Sequence, residues 1–501
     1  MTEKKFIGFD LGAESGRCVV ASLFENRVIL NEVHRFNTHN YTKDNQFHWD
    51  ISAIFNEIIE GLSKAKKEFG NEFEGIGIDT WAVDYALIDE MGKIINDPFH
   101  YRDNRTDGIM EEAFSIISKS EIYNKTGIQF VQFNTIYQLL SEKKNKPNSL
   151  NIADKMLLIP DYINFLLTGK KKAEYTNAST TGLVEPLTRK WSWELIDTFG
   201  LPRKIFPELV GPGTVIGTIL PLIAKKSGLS DRIPVIASTS HDTASAVVSV
   251  PTTEKNSVFL SSGTWSLMGI ELDRPILSSQ AMGYNFTNEG GYENTVRFLK
   301  NIIGLWPVQE CKRYWQEKSN DYSYQELTSM ANDFGFANAW VDLNDPRFLK
   351  AGEMPEKIIA YLKETGQHIN PGIGFIIRVI LESLAFSYRN TLNEIELTTG
   401  EKIKRLHAVG GGIQNELLTQ LTADAIGRVV IAGPIEGTII GNIGVQAITA
   451  RVVENLHDWR MMVSNSFNLK KYEPQSSHYF NENEEKYNNI LRKFREYAKP
   501  Y

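Results

Sequence analysis

Two short apolar strands, one in each half of the chain, run into a glycine-bearing polar turn and come straight back. No other feature constrains the fold as much. The first, over 6–9, leads into Asp10, Leu11, Gly12, Ala13, Glu14, Ser15, Gly16 and Arg17, and a strand resumes over 18–24. The second, over 258–260, leads into Ser261, Ser262, Gly263 and Thr264 and returns through 265–270. Glycine lets such a turn close tightly, so that backbone N–H groups and hydroxyls converge on one point, as an anion site requires. Taken alone, the first hairpin reads equally well as an ordinary turn with a surface arginine. Its counterpart favours a phosphate site, and two such hairpins predict a duplicated α/β architecture with a cleft between lobes. The expected lobes are residues 1–245 and 246–501, divided just after Asp242.

Length supports a division, because 501 residues exceed what one hydrophobic core organises. A formal net charge of −7 argues against a nucleic-acid partner, which favours a basic face. Cys18 and Cys311, the two cysteines, have no metal-type spacing, so reduced thiols and a cytoplasmic setting are expected. The first ten residues carry no apolar signal region and no apolar run approaches the length of a membrane span, so no membrane partner is expected.

Between the hairpins, a buried strand at 235–237 runs into Ser238, Thr239, Ser240 and His241, too polar a run for a core. Asp242 follows, at the usual N-cap place before a small-residue helix. A carboxylate some twenty residues from a phosphate-type turn suggests phosphoryl transfer. Asp10, at a strand end, could hold a hydrated magnesium ion. A strand at 75–79 precedes Thr80, Trp81, Ala82, Val83, Asp84 and Tyr85. The charged loop 101–107 suits a polar small molecule such as a sugar, or else is a salt-bridged structural loop. Helical spacing is expected over 49–69, 157–167, 191–196, 298–314, 374–397 and 441–453, with Asn301 and Gln309 on the fourth. A strand over 405–409 enters Gly410, Gly411 and Gly412, and Asn415 opens a helix over 416–426. Strand, glycine turn and helix N-terminus make a nucleotide or anion wall. The G-x-x-x-x-G-K-[ST] loop is absent.

Together these stretches resemble the FGGY carbohydrate kinases. The likeness rests on DLGAESGR, GIDTWAVDY, YRDNRTDG, GIQFVQFNT, PDYINFLLTGK, SHDTASAV, LSSGTWSLMG, NIIGLW, HAVGGGIQN and GPIEGTIIGNIGVQ, and it spans nearly the whole chain. SHDTASAV and SSGTWSLMG narrow it to one branch of the family. The resemblance implies two ribonuclease-H-like lobes in the actin-like ATPase arrangement, with the active site in the interlobe cleft. It implies ATP-dependent phosphorylation of a small sugar, with Mg2+ as cofactor and Asp10 as the metal anchor. Asp242 then corresponds to the proton acceptor, while Ala82, His241, Asp242, Thr243 and Asn301 meet the sugar. Ala13, Glu14, Ser15, Gly16, Arg17, Thr264, Gln309 and Gly411 correspond to ATP contacts. One position departs: the family's IDTWGVD has glycine where this chain has Ala82, a residue that meets the sugar through its backbone. The implied partners are the sugar and ATP, and the chain is expected as a monomer or homodimer. The competing class, a non-enzymatic actin-like ATPase, needs the nucleotide residues but neither Asp242 nor a sugar loop.

Overall fold

The structure, a computed structural model, describes residues 3–252, 254 and 256–497, with side chains to 492. It divides into two compact units. The first holds the described residues up to 252 together with Glu271–Leu299 and Gly437–Phe467. The second holds Glu254–Ile270, Lys300–Glu436 and the chain from Asn468. The contact units are therefore interleaved along the sequence.

The first unit is built on a six-stranded sheet in the order Thr214–Thr218, Pro234–Ala237, Gly75–Thr80, Lys4–Leu11, Ser15–Phe24, Arg27–Asn37. Lys4–Leu11 pairs antiparallel with Ser15–Phe24 and parallel with Gly75–Thr80, which is parallel in turn to Pro234–Ala237. Side chains alternate between two cores, as the two-residue period of a strand dictates. Ile7, Phe9, Leu11, Cys18 and Val20 pack with Ile51, Ile54, Ile58 and Leu62 of the helix Ile51–Phe69. Phe6, Val19, Ala21 and Leu23 pack with Ile439, Ile440 and Ile443 of the helix Gly437–Thr449. That second helix lies hard against the helix Asp242–Val248: a Cβ built at Gly441 would sit 1.7 Å from the Ser245 carbonyl oxygen. Only glycine permits that approach.

The second unit repeats the plan. Ser257–Ser262 pairs antiparallel with Trp265–Leu272 and parallel with Arg405–Val409, followed outward by Val429–Ala432 and Lys470–Tyr472. The helix Ile373–Thr399, buried along most of its length, supplies its core with Glu416–Ile426 and Ser477–Tyr497.

Local structure departs from expectation at four places. Residues 298–314 are not one helix: Val296–Ile303 is a strand, and the helix Trp306–Glu317 begins only after Gly304, with a proline in its first turn. Asn301 is therefore a strand residue. Lys155–Leu158 is likewise a strand before the helix Ile159–Thr168, and Lys190–Trp191 a strand before Trp193–Thr198. In each, apolar spacing alone does not separate a short buried strand from a helix. Finally, Asp242 is the first residue of its helix and His241 the N-cap, which makes no side-chain cap bond.

Candidate active site

Three strand ends of the first-unit sheet bring the charged groups to one edge. Asp10 lies opposite Arg17 in the antiparallel pairing and opposite Asp79 in the parallel one. The Arg17 guanidinium donates to Asp10 Oδ2 through Nη2 at 2.6 Å and Nε at 3.1 Å. Asp79 is fully buried; its Oδ2 accepts from Asn442 Nδ2 at 2.6 Å, while its Oδ1 has no partner. Burial, and then the charge of Asp10, push the Asp79 carboxyl well above its usual range, with the Asn442 bond acting the other way. The third strand ends at Ala237. The Thr80 amide donates to the Ser240 carbonyl at 3.0 Å, and Thr80 bridges to His241, which brings Asp242 to the same edge.

Asp242 Oδ1 accepts from the Thr243 amide at 2.5 Å and the Thr243 hydroxyl at 3.0 Å, and stands 3.3 Å from His241 Nε2. Its carboxyl is raised above the ordinary value, chiefly by burial; His241 opposes the rise and Asp10 adds to it. A third of the side chain stays exposed, at 34%. The group is thus recessed but open to solvent.

Behind His241 lies an ion pair absent from the sequence reading. Arg297, 0% exposed, donates through Nη2 to His241 Nδ1 at 3.1 Å, stands 3.1 Å from Glu289 Oε2, and donates through Nε to the Gly290 carbonyl at 2.8 Å. Burial raises the Glu289 carboxyl, but Arg297 and His241 more than offset it and hold it below its ordinary value. Glu174 ties the approach to His241: its Oε2 accepts from the Ser240 amide at 3.1 Å and the Ser240 hydroxyl at 2.7 Å.

The charged loop 101–107 turns out to be largely structural. Arg105 is spent on Glu142 at 3.0 Å and Gln138 at 2.6 Å, and Asp103 accepts from the Phe47 amide at 2.7 Å. What it braces is Asp84. The Asp84 Oδ2 accepts from Trp49 Nε1 at 2.7 Å, Trp81 Nε1 at 3.0 Å and the Tyr101 amide at 3.0 Å, and its Oδ1 from Gln138 Nε2 at 2.9 Å. Burial still wins over those four bonds and pushes its carboxyl up to about 6. The paired tryptophans and the DTWAVD string were visible in the sequence; that one carboxylate binds both indoles was not, because the partners lie 35 residues apart.

The turn of the first hairpin is open: Glu14 and Ser15 are exposed, Ala13 and Arg17 half-buried, and only Gly16 is buried. In the second unit the corresponding turn carries no charge. The Gly263 amide donates to the Trp265 carbonyl at 2.9 Å, and Gln309 Nε2 donates to Thr264 Oγ1 at 3.1 Å. Gly410 and Gly412 both abut Ser262, where Cβ atoms would meet its carbonyl oxygen at 2.8 Å, so Gly411 is held beside the turn. The first unit thus gathers Asp10, Ala13, Glu14, Ser15, Gly16, Arg17, Ala82, His241, Asp242 and Thr243. The second holds Thr264, Asn301, Gln309 and Gly411.

Asp10 and Asp242 both raise the Asp79 carboxyl, and Asp10 raises that of Asp242, against a single arginine, an excess of negative charge that suits a cation. Among the described residues, no group of three or more His, Cys, Asp or Glu is arranged to hold a metal ion directly. A hydrated divalent ion carried on a nucleotide's phosphates fits that edge better than one gripped by side chains.

Comparison with known proteins bears on what such an edge does. Residues 5–249 match the N-terminal domain of the FGGY family of carbohydrate kinases, and residues 258–450 match its C-terminal domain. The chain is 42% identical over 473 residues to a rhamnulokinase of Bacteroides thetaiotaomicron, covering 94% of this chain and 96% of that one. It is 44% identical over 466 residues to a rhamnulokinase of Halalkalibacterium halodurans, covering 93% and 98%. Among solved structures, a gluconate kinase from Lactobacillus acidophilus superposes with a TM-score of 0.81 at 18% identity, covering 98% of both chains. The fold is accordingly that of the two-lobed sugar kinases.

Proposed function

This chain belongs to the FGGY family of carbohydrate kinases, and from that premise we propose that it transfers the γ-phosphoryl group of ATP to O1 of L-rhamnulose, giving L-rhamnulose 1-phosphate in L-rhamnose breakdown. The observation that carries the reading is Asp242: a recessed, solvent-reached carboxylate with raised basicity, flanked by His241 and Thr243. A base works best when its pKa approaches the working pH, and the shift runs in that direction. The relatives that share two fifths of this sequence are named for rhamnulose, whereas the likeness to xylulose kinases lies at 18% identity and supports the fold alone. L-fuculose and xylulose are therefore the less favoured substrates.

Phosphoryl transfer proceeds through a loose transition state, so the protein's work is positioning and charge neutralisation. Asp242 accepts the proton of the attacking hydroxyl. His241, Thr243, Asn301 and the Ala82 backbone orient the sugar. Ala13, Glu14, Ser15, Gly16 and Arg17 with Thr264, Gln309 and Gly411 hold ATP through backbone amides, hydroxyls and one guanidinium. Asp10 would hold a hydrated Mg2+, and that ion, when bound, would supply charge neutralisation on the phosphates. Two buried free thiols, Cys18 and Cys311, fit a reducing cytoplasm, and no helix among the described residues is long and apolar enough to cross a membrane. The enzyme acts there as a monomer or homodimer.

A ketose panel with coupled ADP detection tests the assignment. L-Rhamnulose is expected to give the highest kcat/KM; a preference for xylulose or glycerol overturns it.

A further inference from the structure

Val83 has a φ of 70°. A β-branched residue there is a backbone outlier, and such strain persists only where the surroundings over-determine it. The cause is local: the Asp84 amide donates back to the Ala82 carbonyl at 3.0 Å, closing a three-residue turn centred on Val83. That is the γ-turn with positive φ, the rarer and more strained of the two forms.

The turn is held from several sides. Thr135 Oγ1 donates to the Val83 carbonyl at 2.7 Å, and Gln138 Nε2 reaches it at 3.3 Å. Thr80 Oγ1 donates to the Trp81 carbonyl at 2.6 Å, and the Trp81 amide donates to the Leu11 carbonyl at 3.2 Å. Asp84 closes the far side with the four bonds from Trp49, Trp81, Tyr101 and Gln138. Thr135, Thr80, Asp84 and Gln138 are all buried, yet the turn they clamp contains a half-buried residue, Ala82. A core that only needed a connection between two strands would not strain a valine to make it.

We propose that the Ala82–Val83–Asp84 γ-turn is a pre-strained specificity element, and that Thr135 and Asp84 are positioning residues that fix where the Ala82 backbone meets the sugar. The inference rests on the reading of Ala82 as a sugar contact. Because the turn is clamped from behind, the sugar is read by a backbone that cannot yield, and selectivity among ketoses follows.

The test is steady-state kinetics on Thr135→Val, which keeps the shape and deletes the bond to the Val83 carbonyl, and on Thr135→Ser, which restores the hydroxyl. KM is scored on whichever ketose the wild type turns over fastest, so a mistaken sugar assignment does not count against the turn. Thr135→Val is expected to raise the sugar KM about 5–10-fold, the loss of one hydrogen bond. The ATP KM and kcat stay within twofold, the preference between L-rhamnulose and xylulose narrows, and Thr135→Ser returns the sugar KM to wild type. Asp84→Asn provides a second variant should Thr135→Val fold poorly, with the same split expected. A sugar KM within twofold of wild type in the folded variants, a parallel rise in the ATP KM, or no rescue by serine overturns the proposal and leaves these residues as a purely structural brace.

Discussion

The two hairpins share one plan and differ in chemistry. In each, the first strand pairs antiparallel with its successor and parallel with a strand far along the chain, Gly75–Thr80 in one unit and Arg405–Val409 in the other. A second parallel strand and an antiparallel edge strand follow in both. At the same edge, the first sheet presents Asp10, Arg17, Asp79 and Asp242, and the second presents Ser262, Thr264 and three glycines. Asp10 and Asp79 sit side by side on parallel strands; at the equivalent edge of the second sheet Ser261 lies beside Val409, ahead of the glycines. One topology thus carries two chemistries at its strand ends: carboxylates and an arginine in the first unit, hydroxyls and glycines in the second. Duplicating the scaffold preserves the geometry, and the residues at the strand ends divide the labour.

The comparison breaks most visibly at Asp242. Asparagine keeps the acceptor for the Thr243 amide and removes the base, so kcat for Asp242→Asn is expected to fall about 10²–10⁴-fold in turnover assays. Sugar KM and Tm stay near wild type. Stability is retained because the carboxyl is raised in the folded state, so folding disfavours its ionised form and a neutral amide forfeits no stabilisation from that charge.

Next in size is a pH effect confined to the first unit. The Asp84 carboxyl is raised from 3.8 to about 6 in the folded protein. Its contribution to stability is therefore complete below pH 3.8 and is lost as pH rises through about 6. At about 1.36 kcal/mol per unit, the difference is on the order of 3 kcal/mol. Denaturant titrations of wild type and Asp84→Asn should show their stability gap moving against the wild type between about pH 4 and 6.5, then levelling. A gap that does not move with pH would mean the carboxyl titrates in its ordinary range.

In the second unit the glycines sharpen the contrast. A Cβ at Gly412 would meet Ser262 Oγ at 2.2 Å and its carbonyl oxygen at 2.8 Å, whereas at Gly411 the nearest atom is Gln414 Nε2 at 3.9 Å. Gly412→Ala is expected to cost about 1–3 kcal/mol by overpacking and to lower Tm. Gly411→Ala should leave Tm unchanged and act on the ATP KM alone; calorimetry and initial rates distinguish the two. The smallest effect belongs to Gln309→Ala, which deletes the bond to Thr264 and should raise the ATP KM about 2–10-fold without touching the sugar KM.

Much of this was legible in the chain. Both hairpins, the strand before His241, and the strand, triple glycine and helix at 405–426 fall where residue pattern and turn chemistry put them. Elements whose signal is local are recovered that way. Other features were hidden because their cause is distant. The strand Val296–Ile303 carries apolar residues that a helix would bury equally well. Asp79 becomes a site carboxylate only when parallel pairing sets it beside Asp10. Arg297 and Glu289 matter because folding delivers them to His241, 56 and 48 residues away in sequence. The interleaving of the two units likewise depends on where Glu271–Leu299 and Gly437–Phe467 pack, and no residue at a chain boundary announces it.

The division of labour is tested most directly by the affinity for ADP, measured by isothermal titration calorimetry on wild type, Asp242→Asn and Thr264→Val. The account predicts that Asp242→Asn binds ADP within about twofold of wild type, while Thr264→Val, having lost a hydroxyl from the uncharged edge, binds it about 2–10-fold more weakly. Unchanged binding by Thr264→Val together with weakened binding by Asp242→Asn would contradict it, because the nucleotide would then depend on the carboxylate edge and not on the glycine and hydroxyl turn.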